Sequence, residues 1–141
     1  MIKKVINVIL VIMWMIVIFY LSNQNSTETT NTTNIIYKLF RISTNSDVVF
    51  ILIRKLAHIS EYLILGFLLC NMFNSFNVKN IFIYTILICI IYSCLDELHQ
   101  LFINGRNCQF IDCLIDLLGT IIGILFYKLK NKILINHYQK V

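Results

Sequence analysis

Four apolar stretches, at about residues 5–21, 54–73, 80–100 and 109–127, are each of a length that crosses a lipid bilayer as a helix, and they restrict this chain more than any other feature. Hydrocarbon offers no water to backbone N–H and C=O groups, so a segment that crosses it must satisfy them internally, as a helix, or across a closed barrel. The runs are continuous rather than alternating, which selects the helix. Proline is absent, so none of the helices carries a covalent kink. With 58% hydrophobic and 13% charged residues and a mean hydropathy of +0.77, the 141 residues have too little polar surface for a water-soluble globule. The expected fold is all-α: one polytopic membrane domain over residues 1–141, a bundle of four transmembrane helices followed by a basic tail at 128–141.

Lys3 and Lys4 ahead of the first run resemble the start of a signal peptide, but no small-residue cleavage site follows Leu21, so an uncleaved first span is expected. Ser22 to Thr33 is a Ser/Thr/Asn tract that reads as a solvated loop, and its Asn25 and Asn31 glycosylation patterns carry little information in such a composition. Beyond it, Ile35, Ile36, Leu39 and Phe40 share a helical face beside Lys38 and Arg41, the pattern of a short interfacial helix in the first extracytoplasmic loop. The second helix, with Ser46 as its cap, extends from Asp47 to Phe73. At about 40 Å it exceeds the roughly 30 Å hydrocarbon layer, which puts Arg54 near the interface and Glu61 about 10 Å deeper. Asn104-Gly105 marks a turn between helices three and four.

With four spans both termini share a side, which collects Lys3, Lys4, Lys79, Lys128, Lys130, Lys132 and Lys140 against Lys38, Arg41, Arg54, Lys55 and Arg106 on the other. Basic residues favour the cytoplasm, so both termini are expected there. The net charge of +5 belongs to this asymmetry, and no basic and aromatic interleaving points to a nucleic-acid partner. The five cysteines form no C-x-x-C pair and read as small apolar filler.

Between Ile91 and Gly123 lie four of the seven acidic residues, one of three histidines and three of four glycines, flanked by apolar sequence. Charges so placed are costly and commonly functional. By helical spacing, Arg54, His58, Glu61 and Leu65 share one face of helix two. On helix three a stripe runs through Thr85, Cys89, Tyr92, Asp96 and His99 or Gln100, with Glu97 a quarter to a third of a turn away. Helix four puts Asp112 and Asp116 on the face of Gly119 and Gly123, whose G-x-x-x-G spacing lets backbones approach, so the aspartates should point inward. Arg54, Lys55 and Arg106 supply three positive charges against five negative ones from Glu61, Asp96, Glu97, Asp112 and Asp116. Protons on His58 and His99, neutralised acids or a bound cation could close the gap.

The motifs R-K-x-A-H-x-x-E-Y (Arg54 to Tyr62), D-E-x-H-Q-x-F-x-x-G-R (Asp96 to Arg106) and D-x-x-x-D-x-x-G-x-x-x-G (Asp112 to Gly123), in this order, resemble the signature of the VanZ-like family of small bacterial membrane proteins. The first span ending in Leu21-Ser22-Asn23-Gln24 is also similar. The family often has proline where Asn25 and Asn104 stand, and asparagine in the region of Asp116. The resemblance implies a multi-pass protein of the bacterial cytoplasmic membrane with an envelope role, in a family named for low-level resistance to teicoplanin.

Three functions suit the constellation. It can bind an envelope lipid, a lipid-linked precursor or a lipidated glycopeptide at the outer leaflet, with Arg54 and Arg106 taking anionic groups and Glu61, Asp96 and Asp112 taking amines or hydroxyls. It can be an intramembrane enzyme, with His58, Glu61, Asp96 and His99 as acid/base groups or ligands of a divalent metal and Ser93 as the sole candidate nucleophile. Or it is a structural network pairing Arg54 with Glu61 and Arg106 with Asp96 or Asp112, while Lys55 snorkels to the interface. Apart from that metal no cofactor is expected, and membrane lipids are the general partner. Trp14, in mid-span, reads as core or lipid-facing filler.

Overall fold

A computed structural model of the chain describes residues 1–24, 31, 35, 47–103 and 109–138. Within these, four helices follow one another: α1 (Ile2–Ser22), α2 (Asp47–Ser75), α3 (Ile81–Gln100) and α4 (Phe110–Tyr138). All four are long and apolar enough to cross a membrane. The four-helix expectation therefore holds, with α2 ending two residues beyond Phe73 and α4 continuing well past Tyr127 into the basic tail. Of the expected interfacial helix only Ile35 is among the described residues; Ser46, Asn25, the Asn104-Gly105 turn, Arg106 and Cys108 lie outside them.

Leu63, Gly66, Thr120 and Gly123 explain the architecture. A Cβ on Gly123 would sit 2.2 Å from the Leu63 carbonyl oxygen, one on Gly119 would be 2.4 Å from that of Ile59, and one on Gly66 would be 2.9 Å from that of Thr120. Only glycine permits such approach, so α2 and α4 share the most extensive interface of the bundle. α2 is the central helix, touching α1, α3 and α4, while α1 packs on α2 and α3 from the side away from α4. Asn77 closes the α2–α3 turn with φ of 57°, a left-handed conformation asparagine tolerates.

The outer faces carry Ile9, Met13, Ile16, Leu56, Leu87 and Leu125, all exposed, as suits contact with lipid. The apolar core is modest: Val11, Ile18, Tyr62, Leu65, Leu69 and Cys89 in one cluster, Cys70, Ile124 and Tyr127 in another. Because lipid is as apolar as leucine, burial in a membrane gives helices little drive to associate, and polar ties count for more. α1 shows this along its length. Asn7 donates to the Asn71 carbonyl (3.3 Å), Trp14 Nε1 to the Glu61 carbonyl (2.9 Å), and Tyr92 Oη to the Met15 carbonyl (2.6 Å). Trp14 therefore packs against the core, one of the two roles expected of it, and is a tether as well. Trp14→Phe is expected to lower stability by about 1 kcal/mol, the usual worth of one such bond, read from unfolding in mixed micelles.

The two ends of the bundle differ in chemistry. At the end holding the α2–α3 turn, Lys4 lies over the Phe76 ring, Lys128 over Phe82 at 4.4 Å, and Lys130 over Phe67 while donating to Asn71. At the opposite end the acidic and histidine side chains converge.

Candidate functional site

His58, Ser93, Asp96, Glu97, Gln100, Asp112 and Asp116 are buried together at the end formed by the last turns of α1 and α3 and the first turns of α2 and α4. The inward face inferred for the two aspartates is therefore the one observed, placed there by Gly119 and Gly123 one and two turns further along α4.

Asp116 is the hub. Its Oδ1 accepts from His58 Nδ1 at 3.1 Å and its Oδ2 from Ser93 Oγ at 2.5 Å, so one carboxylate joins α2, α3 and α4. Asp116 is 1% exposed and its partner Ser93 likewise. Ser93 gives its proton to the carboxylate and makes no bond to the imidazole. A nucleophilic serine needs a base that takes its proton and an open path for substrate; Ser93 has the fully buried position of a structural donor instead.

Nearer the start of α4, Lys55 Nζ meets Asp112 Oδ1 at 3.2 Å. This corrects the expectation that Lys55 snorkels: one residue past Arg54 turns it about 100° around the helix, toward α4. Among the described residues the ion pairs are Lys55–Asp112 and His58–Asp116, not Arg54–Glu61. Asp112 also occupies the first turn of α4, where the helix dipole favours a negative charge. Glu97, off the main stripe of α3, reaches the same helix start, its Oε2 accepting from the Gln109 backbone N–H at 2.8 Å.

Arg54, Lys55 and His58, with Ile51, Gln109 and Asp112, line a pocket of about 90 Å³ between α2 and α4. Its wall is cationic from α2, and its one carboxylate is already engaged by Lys55. Among the described residues, the other members of the constellation do not line it. Gln100 Nε2 donates to Ser22 Oγ (2.9 Å) and Asp96 Oδ2 (3.3 Å), forming a second polar group against α1. His99 donates from Nε2 to Asn23 Oδ1 at 3.2 Å and stacks against Phe19. Glu61 is half-buried. His58, Glu61, Asp96 and His99 thus do not gather, and among the described residues no three His, Cys, Asp or Glu side chains are arranged around a common metal position.

Lys55, Ser93, Gln109 and Ser22 are the site residues that sequence reasoning left out or misjudged. Spacing could have found Ser93, since it lies three residues before Asp96 and four before Glu97 on the buried side of α3. Nothing in the sequence distinguishes Gln109, whose contribution is a backbone N–H.

A family model described as VanZ/LLP1 matches residues 7–131. No curated protein and no solved structure matches the chain significantly.

Proposed function

The chain belongs to the VanZ/LLP1 family, and on that premise we propose that it binds the anionic head group of an envelope lipid, a lipid-linked precursor or a lipidated glycopeptide in the pocket between α2 and α4. The observation that carries this reading is the pocket itself. A network serving only to lock helices closes on itself, because every unfilled volume beside it forfeits packing. Here a cavity of about 90 Å³ lies against Arg54, Lys55 and His58 where α2 meets the start of α4. An arginine fork beside an ammonium group suits a phosphate or carboxylate, and the exposed Ile51, Leu52 and Leu56 alongside offer apolar surface to an attached chain.

The opposite end carries Lys4, Lys128 and Lys130, which supports cytoplasmic termini in a bacterial cytoplasmic membrane and a pocket open to the outer leaflet. A ligand taken there would connect the protein to the teicoplanin-type glycopeptide susceptibility that the resemblance to the family implies.

The test is complementation of a deletion strain with wild type and Arg54→Ala, scored for glycopeptide and lipoglycopeptide susceptibility beside protein abundance. Wild type should restore the susceptibility of the parent strain, and Arg54→Ala should fail to do so at normal abundance. A purely structural network predicts the reverse pattern: loss of phenotype only together with loss of protein.

A further inference from the structure

His58 belongs both to the α2–α4 pocket and to the buried network behind it. It lines the pocket beside Arg54 and Lys55, while its Nδ1 meets Asp116 Oδ1 at 3.1 Å. Asp116 is 1% exposed and His58 8%, so the carboxylate is sealed off and the ring keeps an open edge. With Nδ1 committed to Asp116, Nε2 is the ring nitrogen left for a ligand in the pocket. Ser93 Oγ donates to the other oxygen of the same carboxylate, which stops it from turning away. A carboxylate placed so fixes the tautomer: Nδ1 keeps the proton, Nε2 presents its lone pair, and positive charge formed on the ring is met from behind. A histidine that only ties helices together gains nothing from facing a cavity.

The surroundings select the substrate. Lys55 is paired with Asp112, whereas Arg54 has no ion pair among the described residues, and its fork of donors suits phosphate oxygens. The cavity, about 90 Å³, is far smaller than the roughly 300–1,000 Å³ of a site that encloses a whole ligand. It admits the end of a molecule, with an apolar body left outside along the exposed Ile51, Leu52 and Leu56. A phosphate monoester has such a bare end, while a diester carries a substituent on each side of phosphorus. We propose that the site is catalytic, with His58 Nε2 attacking the phosphorus of a lipid phosphate monoester held by Arg54 and Lys55, and with Asp116 and Ser93 as positioning residues. This rests on the reading of the pocket as an anion site and goes beyond binding. In the first step a P–N bond forms as the P–O bond to the lipid breaks, and the departing oxygen takes a proton from water. In the second, the oxygen of that water attacks phosphorus, the electron pair of the P–N bond returns to Nε2, and inorganic phosphate leaves. One water is consumed and nothing is oxidised or reduced. Asp116 offsets the charge on the phosphorylated ring while Arg54 and Lys55 face the phosphoryl oxygens.

The probe is phosphatidic acid with radioactive phosphorus, added to the full chain purified in detergent. Retained lipid, released inorganic phosphate and label fixed on the protein are measured together. Wild type should retain the lipid, release phosphate and carry label that survives alkali and is lost in acid, the behaviour of a phosphorus–nitrogen bond. His58→Gln, whose amide can still donate to Asp116, should retain the lipid with neither release nor label. Asp116→Asn should retain it too, with an unfolding midpoint near that of wild type, yet release phosphate about 10⁴-fold more slowly, as wrong-tautomer variants of such pairs do. That variant also decides the matter if His58→Gln does not fold, since an aspartate with only a structural role would leave release by the folded protein unchanged. Retention by wild type without release or label would overturn the catalytic step and leave the anion site standing; no retention would overturn both. Undiminished release in either variant would overturn the assignment to His58 and Asp116.

Discussion

Gly123→Ala is expected to destabilise the bundle by about 3 kcal/mol or more, at the upper end of overpacking costs. In a solvated helix the same change would stabilise by about 1 kcal/mol through helix propensity, so the sign depends on what the new methyl meets. It meets the Leu63 carbonyl oxygen at 2.2 Å, an atom fixed in the backbone of α2. Relief requires α2 and α4 to separate along their whole interface, which would also pull Asp116 from His58. Gly119→Ala, at 2.4 Å from the Ile59 oxygen, should behave similarly, and Gly66→Ala, at 2.9 Å, more mildly. Unfolding by SDS titration in mixed micelles ranks the three. Wild-type stability of Gly123→Ala would show that the helices do not pack at this distance.

Asp116→Ala is expected to cost a comparable amount, about 3–5 kcal/mol, the range found when one partner of a buried pair is removed. It strands two donors at once, His58 Nδ1 on α2 and Ser93 Oγ on α3. Asp116→Asn retains shape and one carbonyl acceptor, and Ser93 can turn to accept from the new amide, so its loss should be much smaller. The same unfolding assay separates the variants. If both behave like wild type, Asp116 does not hold three helices together. If both fail equally, the charge itself, rather than the hydrogen bonds, is what the site needs.

The inward face of α4 was legible from sequence because Asp112, Asp116, Gly119 and Gly123 share one register, and a G-x-x-x-G face has a physical reason to be buried. The four spans were legible because membrane thickness leaves few other options. What periodicity could not supply was the partner of each charge. Lys55 was assigned to the interface because it lies off the face of Arg54, His58 and Glu61, yet that turn around the helix is what directs it to Asp112. Trp14 was legible as a core residue, but not as a tether, because its indole N–H gives no periodic signal; only the packing of α1 on α2 brings it to the Glu61 carbonyl. The constellation also read as one pocket, whereas α2–α4 and α1–α3 contacts divide it into two polar groups. A helical wheel orders residues around one helix and is silent on which neighbour each sector faces.

The most direct measurement is lipid binding to the purified protein in nanodiscs of phosphatidylcholine doped with phosphatidylglycerol, followed by native mass spectrometry of retained lipid for wild type and Arg54→Gln. Wild type should retain phosphatidylglycerol in preference to phosphatidylcholine, and Arg54→Gln should lose that preference while keeping its unfolding midpoint. Equal retention of the two lipids by wild type, or an undiminished preference in Arg54→Gln, would contradict an anion-binding pocket between α2 and α4.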